Sequence, residues 1–566
     1  MSDQGSDSRT WLFGPGTDLV LGCGIGSIAM LALQAGVGQR ALAAWVPGAL
    51  LILVFSLPHY GATLVRVYED PADRRKYRVF ATGATALLVA AFVGSLYGHA
   101  FGSLLLTVYL TWSPWHYSGQ NYGIALMLAG RRGDPIGART KRFVYASFVT
   151  SYLLTFFAIH SAQPTESYAP VAYAGTVYEL LAIGLPHDWV GVAIAAVGAV
   201  YLVTSALAVR GLVVAGGLRG AMPSLVLMLT QALWFVLPVP VRHWGLAGAD
   251  SIFHSVYTAY GFLWIAGYHA LQYLWITTYY ATESGAEAGQ RAGAWRRRAV
   301  FLGKAALMGY AVWTVPALLF APGLLGALPY DAGLALMVAA VVNLHHFILD
   351  GAVWKLRDGR VARILLAQRP TPDADPRPLE EAAPPRTPWL RRGLQVIGAA
   401  CVLYGGFTFW GGDFGFGKAL SRGDVTTARS AIERLTWLGR DSAAMRTELG
   451  RRLAREGDRR GARQELERSL ALNPTSRGYQ SLGLLHEQAG EWGLAATAYD
   501  SALAIGEEDA TTLFRAGRAW LESGDAGRAV PLLERAEALA PDQKLVSLQL
   551  ARARREAKQE SERAIP

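Results

Sequence analysis

Cysteine is almost absent from the 566-residue chain, since only Cys23 and Cys401 occur and both lie in apolar stretches. Two isolated cysteines argue against a disulfide framework and against a thiolate metal site. Charge is also scarce, at 17% of residues against 52% hydrophobic residues. Such an apolar composition is untypical of a soluble protein of this length and predicts a polytopic membrane protein. The first 16 residues lack a basic region, so no cleaved signal peptide is predicted.

Long apolar segments indicate an all-α membrane bundle. A membrane-spanning helix needs about 20 mostly apolar residues, and eleven segments of the chain meet this requirement. They lie near 17–36, 42–65, 79–97, 102–129, 143–162, 189–209, 220–240, 252–281, 300–320, 332–354 and 393–411.

The charges between these segments predict their orientation. Five alternate loops contain 26 Lys and Arg residues, whereas the other five contain two, Arg40 and Arg242. Basic loops stay in the cytoplasm. The pattern therefore predicts a bacterial inner-membrane protein with a cytoplasmic N-terminus, whose residues after about 412 lie in the periplasm.

Composition divides the chain into four predicted parts. Residues 1–354 form a ten-helix membrane domain, and 355–392 form a proline-rich cytoplasmic linker. Residues 393–411 form the eleventh membrane helix. Residues 412–566 are rich in Ala, Leu, Arg and Glu and form the periplasmic part.

The periplasmic part carries an internal repeat. Gly423, Gly457, Gly490 and Gly524 recur at intervals of 34, 33 and 34 residues, each followed by an acidic residue within two positions. This pattern resembles tetratricopeptide repeats, whose helical hairpins stack into a solenoid. The expected partner is a protein or peptide, and the nearly balanced charges predict no nucleic-acid role.

Histidines inside apolar segments are the main candidates for function, because a polar group at bilayer depth is expensive unless it has a partner. His59, His116, His269 and the pair His345–His346 lie within four different predicted helices. Adjacent residues are about 100° apart on a helix, so only one of the pair is expected to face a shared site. Neutral imidazoles without thiolates suit iron, copper or zinc.

Polar residues near these histidines are candidates for orienting them. Gln120 lies four residues after His116, and Asp350 lies four after His346, so each shares a helix face with its histidine. Such a side chain can accept the second ring N–H of a ligating histidine and fix its tautomer. His59 and His116 closely follow prolines, which disturb the helical hydrogen-bonding pattern there.

Three segments, SLPHYGATL, SPWHYSGQNY and FLWIAGYHALQYLWI, resemble segments of the Brp/Blh-type bacterial carotene dioxygenases. Members of that family are all-helical membrane enzymes that hold a non-haem iron with four histidines and cleave carotene with dioxygen. The resemblance implies His59, His116 and His269 as ligands. The position of the fourth is Tyr273 in this chain, so His346 or, failing that, His345 is expected to replace it.

On this interpretation the chain is an iron-dependent oxidoreductase that acts on a lipophilic substrate. Tyr273 is expected beside the metal ligands, and Trp115, Tyr117 and Tyr268 are expected to line the substrate pocket.

Other functions stay open at this point. Two facing histidines could instead hold a b-type haem, or another transition metal could be bound. The layout of spans and repeats also resembles some polyprenyl-phosphate-dependent glycosyltransferases, for which Glu166, Glu179 and Asp188 would be the candidate acids. A transporter or assembly scaffold is a further alternative. The histidine-rich boxes of fatty-acid desaturases do not occur.

Overall fold

The structure is a computed structural model, and it divides into two compact units that are described separately. The first contains Met1–Val171, Thr176–Pro316 and Leu336–Gly406, and the second contains Phe407–Pro566 with two short segments, Ala172–Gly175 and Ala317–Ala335. Glu166 and most of the predicted linker lie outside the described residues. The described residues are 11–38, 48–69, 71–133, 136–162, 171–173, 176–246, 255–287, 289–320, 334–355, 359–366, 388–505 and 509–563.

Among the described residues up to 409, the regular structure is helical apart from two three-residue strands, β1 (Val171–Tyr173) and β2 (Thr176–Tyr178). Together with the helices of the second unit, this confirms the predicted all-α class. The helices are α1 (Pro15–Thr17), α2 (Ile25–Val37), α3 (Gly48–Leu51), α4 (Leu57–Leu64), α5 (Pro71–Lys76), α6 (Thr85–Tyr97), α7 (His99–Arg131), α8 (Ala138–Ile159), α9 (His187–Phe235), α10 (Pro238–His243), α11 (Ser255–Glu287), α12 (Ala294–Leu319), α13 (Leu334–Val353), α14 (Gly359–Leu365) and α15 (Pro388–Phe409).

Fewer helices than the predicted eleven are long and apolar enough to cross a membrane. Among the described residues there are five, or six if α2 is joined to the preceding helical segment, which meets it at a 58° bend. One of the five, His187–His243, is 57 residues long, which is nearly three times the length of one crossing. Gly217 breaks it with a φ of 65°, between the segments predicted as two spans.

Polar residues and irregular turns explain why other predicted spans fall short. The segment predicted at 42–65 contains turns of π-helix at Ile52–Ser56 and at Val65–Glu69, on either side of α4. By contrast, α7 continues through Pro114 for 33 residues. Its His, Gln and Asn side chains lower its hydropathy, although its length is sufficient.

Two glycines allow α4 and α12 to approach each other closely. A Cβ atom added at Gly61 would lie 1.8 Å from the carbonyl oxygen of Ala305, and one added at Gly309 would lie 1.9 Å from that of Leu57. Both clashes involve backbone atoms, which cannot rotate away. Small residues at such crossings let the backbones of membrane helices touch. Because α4 carries His59, this crossing also fixes where that imidazole lies.

The second unit consists of a series of helices in which each packs against the next. A turn of π-helix at Trp410–Phe416 precedes them. The helices are α16 (Gly417–Ser421), α17 (Val425–Trp437), α18 (Ala443–Glu456), α19 (Arg459–Leu472), α20 (Ser476–Ala489), α21 (Trp492–Ile505), α22 (Ala510–Glu522), α23 (Ala526–Leu539) and α24 (Lys544–Arg563).

The repeated glycines end one helix and the following acids begin the next. All four repeat glycines, 423, 457, 490 and 524, have φ between 74° and 89°, a region that only glycine adopts readily. The carboxylates of Asp424, Asp458 and Asp525 then accept a backbone N–H three residues later, at 2.9–3.0 Å. Aspartate at this position satisfies an otherwise free helical N–H.

A second repeated feature is a glycine that faces a large residue sixteen positions later. A Cβ atom added at Gly450, Gly483 or Gly517 would lie 2.7–2.8 Å from the side chain of Leu466, Tyr499 or Leu533 respectively. Each glycine therefore makes room for the large side chain on the next helix. The same contact recurs in three successive pairs of helices.

We expect Gly517→Leu to destabilise the second unit by about 1–3 kcal/mol, because the added side chain must displace the buried Leu533. Hydrogen–deuterium exchange of the full-length protein in detergent should show faster exchange in α22 and α23. Gly493→Ala is the matched control, since nothing lies within 4 Å of its added Cβ. Equal exchange in the two variants would contradict this account of the packing.

Candidate metal centre

Four histidines from four different helices meet inside the first unit. They are His59 on α4, His116 on α7, His269 on α11 and His346 on α13. The ring centroids of His59 and His346 are 4.7 Å apart, those of His116 and His269 4.9 Å, and those of His116 and His346 5.0 Å. Three of the residues are at most 3% exposed, and the His116 side chain is 9% exposed. We call these four residues the histidine cluster.

Four nitrogen atoms of the cluster are buried without a hydrogen-bond partner among the described residues. One nitrogen each from His59, His269 and His346 lies within 4.8 Å of the other two. Nε2 of His116, Nε2 of His346 and both ring nitrogens of His269 are buried and have no hydrogen-bond partner among the described residues. A buried polar atom without a partner is costly. Several such atoms within one group of imidazole rings indicate a site that a cation would complete.

Two hydrogen bonds fix which nitrogen of each ring is available. Nδ1–H of His59 donates to the carbonyl oxygen of Ser56 (2.5 Å), which leaves Nε2 unprotonated. Nδ1 of His346 lies 2.7 Å from the hydroxyl oxygen of Thr63. That hydroxyl has one proton, which it donates to the Tyr273 oxygen (2.8 Å) or to Oδ1 of Asp350 (3.3 Å), so in either case it accepts from His346. Both rings therefore direct a lone pair into the cluster, as metal ligands require.

Asp350 adds a carboxylate to the edge of the histidine cluster. Its Oδ2 lies 3.4 Å from Nε2 of His346 and 3.9 Å from Nε2 of His116. One donor atom from each of these three residues forms a second group within 4.8 Å. Its Oδ1 accepts a hydrogen bond from the Tyr273 hydroxyl (2.7 Å), which in turn accepts one from Nε1 of Trp354 (3.1 Å). A carboxylate held in this way offers an oxygen ligand to a bound cation.

A cavity of about 310 Å³ opens beside the histidine cluster. His116, Gln120, Tyr273 and Asp350 form its polar part. Its remaining walls are largely apolar and include Trp112, Trp115, Ile124, Met127, Phe347 and Trp354. Gly119, Gly123 and Gly351 also line it, and a Cβ added at any of them would meet open space. A small apolar molecule could thus lie against the cluster.

The structure separates the two neighbouring histidines of α13. His346 belongs to the cluster, whereas Nε2 of His345 lies 2.9 Å from the Thr85 hydroxyl and 3.2 Å from that of Tyr68. Of the two, only His346 therefore faces the cluster. Tyr273 contacts Asp350 through its hydroxyl.

The residues predicted to orient the histidines or to line the substrate pocket do not all lie at the cavity. Gln120 donates to the carbonyl oxygen of His269 (3.2 Å) and so contacts the site through α11. Trp115 lines the cavity. Tyr117 and Tyr268 are not among the residues that line it. Tyr117 packs on the ring of His269 at 4.2 Å, and the Tyr268 hydroxyl accepts the N–H of Gly24 and donates to the carbonyl of Val20.

Sequence reasoning missed Thr63, Phe347 and Trp354. Thr63 lies four residues after His59, and Trp354 lies four after Asp350, so the helical spacing used for Gln120 would have found both. Phe347 stacks on His116 with ring centroids 4.3 Å apart. Nothing in the sequence distinguishes Phe347 from other apolar residues of α13.

The donor set of the cluster is suited to a transition metal. Imidazole nitrogens and one carboxylate are ligands that iron, zinc and copper accept. A haem fits less well, because a porphyrin needs free space around the axis between two imidazoles. In the cluster the other two rings lie within about 6 Å of His346 and occupy that space.

Comparison with known proteins does not add an assignment. No model of a known protein family matches the chain, and no curated protein matches it. Interpretation of the site therefore rests on its residues and their geometry.

Proposed function

We propose that the chain is a membrane-embedded, metal-dependent oxidoreductase, with non-haem iron as the metal and a lipophilic molecule as the substrate. The observation that carries this proposal is the set of unpartnered buried imidazole nitrogens in the histidine cluster. His59, His116, His269 and His346 would hold the metal. When bound, a ferrous ion with neutral ligands supplies a position at which dioxygen can be activated.

The residues around the cluster have separate roles in this proposal. Ser56 and Thr63 keep the rings of His59 and His346 in the tautomer that binds a cation. Tyr273 and Trp354 hold the Asp350 carboxylate at the border between cluster and cavity, through the contacts described above. That carboxylate would balance part of the charge of the metal. The phenol of Tyr273 donates a hydrogen bond to Asp350 and so helps to hold that carboxylate in place.

The cavity supports a lipophilic substrate. Aromatic and aliphatic side chains form most of its wall, and its polar groups are confined to the side that faces the cluster. Such an arrangement orients an apolar molecule by excluding water and presents one part of it to the metal. The resemblance to carotene dioxygenases makes a polyene the first substrate to test.

The membrane and repeat assignments complete the proposal. Five described helices have the length and hydropathy of membrane spans, which supports a membrane location. The excess of Lys and Arg in alternate loops supports an inner-membrane protein with a cytoplasmic N-terminus. In the second unit, the regular turns and the repeated glycine contacts support a periplasmic tetratricopeptide-like solenoid. Such a solenoid would bind a protein or peptide partner.

The test is metal analysis of the detergent-purified full-length protein, together with its absorption spectrum. We expect near-stoichiometric iron without a Soret band, and loss of that iron in His116→Ala. Expression in bacteria that accumulate β-carotene should lower the pigment level only with the wild-type chain. Absence of metal from a folded wild-type protein would refute the proposal. Iron without pigment loss would retain the metal centre and refute carotene as the substrate.

A further inference from the structure

A second cavity, of about 620 Å³, lies between the helices of the first unit and is strongly basic. Six cationic side chains line it and only two acidic ones, Glu69 and Asp73. The cationic residues are Arg66, Arg291, Arg296, Arg297, Lys304 and Arg360. At about 30 Å³ per water molecule, the cavity has room for about 20 waters or a group of similar size. We call it the arginine pocket.

Three loops that the charge pattern predicts on the cytoplasmic side meet at this pocket. They are the loop after α4, the loop between α11 and α12, and the segment at α14. A high content of basic residues is usual for cytoplasmic loops. The convergence of three such loops around one cavity is a separate feature, because exposed loops could satisfy the orientation rule without enclosing a space.

The charges in the pocket are only partly neutralised. Arg66 forms an ion pair with Asp73, and Lys304 forms one with Glu69. Four arginines remain in excess. Arg297 and Arg360 donate to groups of the protein, a carbonyl oxygen and the Ser284 hydroxyl.

Two of the remaining arginines and one buried nitrogen atom have no hydrogen-bond acceptor among the described residues. Arg291 and Arg296 make no hydrogen bond or ion pair with another residue that the structure describes. The Arg66 side chain is 8% exposed, and its Nε is buried without a hydrogen-bond partner. A group with several acceptor oxygens and negative charge would satisfy all three, and a phosphate has both properties.

The surroundings of the pocket indicate a ligand with apolar chains. Thr277, Tyr280, Ala281 and Phe301 form its less polar walls. On α12, next to the basic residues, Trp295 is 79% exposed and Val300 is 48% exposed. Exposed tryptophan beside basic residues is typical of the membrane interface, where acyl chains could extend along the helix.

We infer that the arginine pocket binds the phosphate headgroup of an anionic phospholipid from the cytoplasmic leaflet. Basic pockets between membrane helices on this side are suited to such headgroups. The inference requires that the helices span a bilayer, but it is independent of metal binding at the histidine cluster.

The test measures binding of short-chain lipids to the delipidated full-length protein in detergent by isothermal titration calorimetry. We expect dioctanoyl phosphatidylglycerol to bind at least about tenfold more tightly than dioctanoyl phosphatidylcholine or glycerol phosphate. The double variant Arg291→Gln/Arg296→Gln should weaken binding of phosphatidylglycerol about tenfold or more. Both residues are exposed, so their replacement should preserve folding.

The matched control is Arg139→Gln/Arg142→Gln, which removes the same charge from exposed positions on α8. It should change the affinity by less than about twofold. An equal loss in the two double variants would overturn the pocket, because it would indicate attraction by overall charge. Equal affinity for the two lipids would also overturn it. Glycerol phosphate binding as tightly as phosphatidylglycerol would overturn the lipid assignment. Iron content should be the same in all of these variants.

Discussion

Replacing His346 with alanine is expected to reduce the iron content of the purified protein to less than about a tenth of the wild-type level. Nε2 of His346 lies among the unpartnered nitrogens of the cluster, and its ring is 4.7 Å from that of His59 and 5.0 Å from that of His116. Among the described residues no further imidazole is placed to substitute for it, since His345 contacts Thr85 and Tyr68. Metal analysis by mass spectrometry measures the effect.

The neighbouring residue provides an unusually close control. His345→Ala removes an imidazole one position away on α13, and that imidazole contacts Thr85 and Tyr68. Loss of these hydrogen bonds should destabilise the fold by about 1 kcal/mol each, with iron content unchanged. Equal loss of iron in both variants would mean that the effect arises from disturbance of α13, and it would contradict the role given to His346.

The second large effect is expected from Gly309→Ala. The added methyl group would lie 1.9 Å from the carbonyl oxygen of Leu57, so α4 and α12 must separate by about 1.5 Å to restore a normal contact. Because α4 carries His59, the displacement moves one ligand out of the cluster. We expect the thermal midpoint to fall by about 5 °C or more and the iron affinity by about tenfold or more.

Gly303→Ala separates this effect from a general response of α12 to alanine. Gly303 lies on the same helix, and nothing lies within 4 Å of its added Cβ. We expect this variant to retain wild-type iron content and to be slightly stabilised, since alanine favours the helix. Normal iron content in Gly309→Ala would show that the position of His59 does not depend on the close crossing.

Much of the candidate site follows from helical periodicity and from the cost of polar groups in an apolar segment. Those two considerations are enough to select His59, His116, His269 and the pair His345–His346 and to add Asp350. They do not show where Gln120 points, because the neighbouring α11 offers its amide a backbone carbonyl at His269. Helical spacing shows which face of its own helix a side chain lies on. The group that the side chain contacts belongs to a different helix, and the spacing does not identify it.

Helix counts are predicted less well than helix positions. Apolar length alone gives eleven spans, while the described residues contain five or six helices that qualify. Fewer helices qualify because turns of π-helix interrupt some segments. Other segments carry polar side chains, which find hydrogen-bond partners inside the bundle but lower the hydropathy. The repeat in the second unit is more regular, because its glycines and aspartates act within one turn of the chain and need no distant partner.

Sequence alone is enough to predict the all-α class, the helical segments that carry the histidines and the regular turns of the second unit. These properties depend on interactions between residues a few positions apart. The packing of the helices was needed to show that His346 and not His345 joins the cluster, that Tyr273 contacts Asp350, and that three basic loops surround one pocket. Each of these outcomes depends on how helices distant in sequence pack together, and their crossings are set by contacts such as that between Gly61 and Ala305.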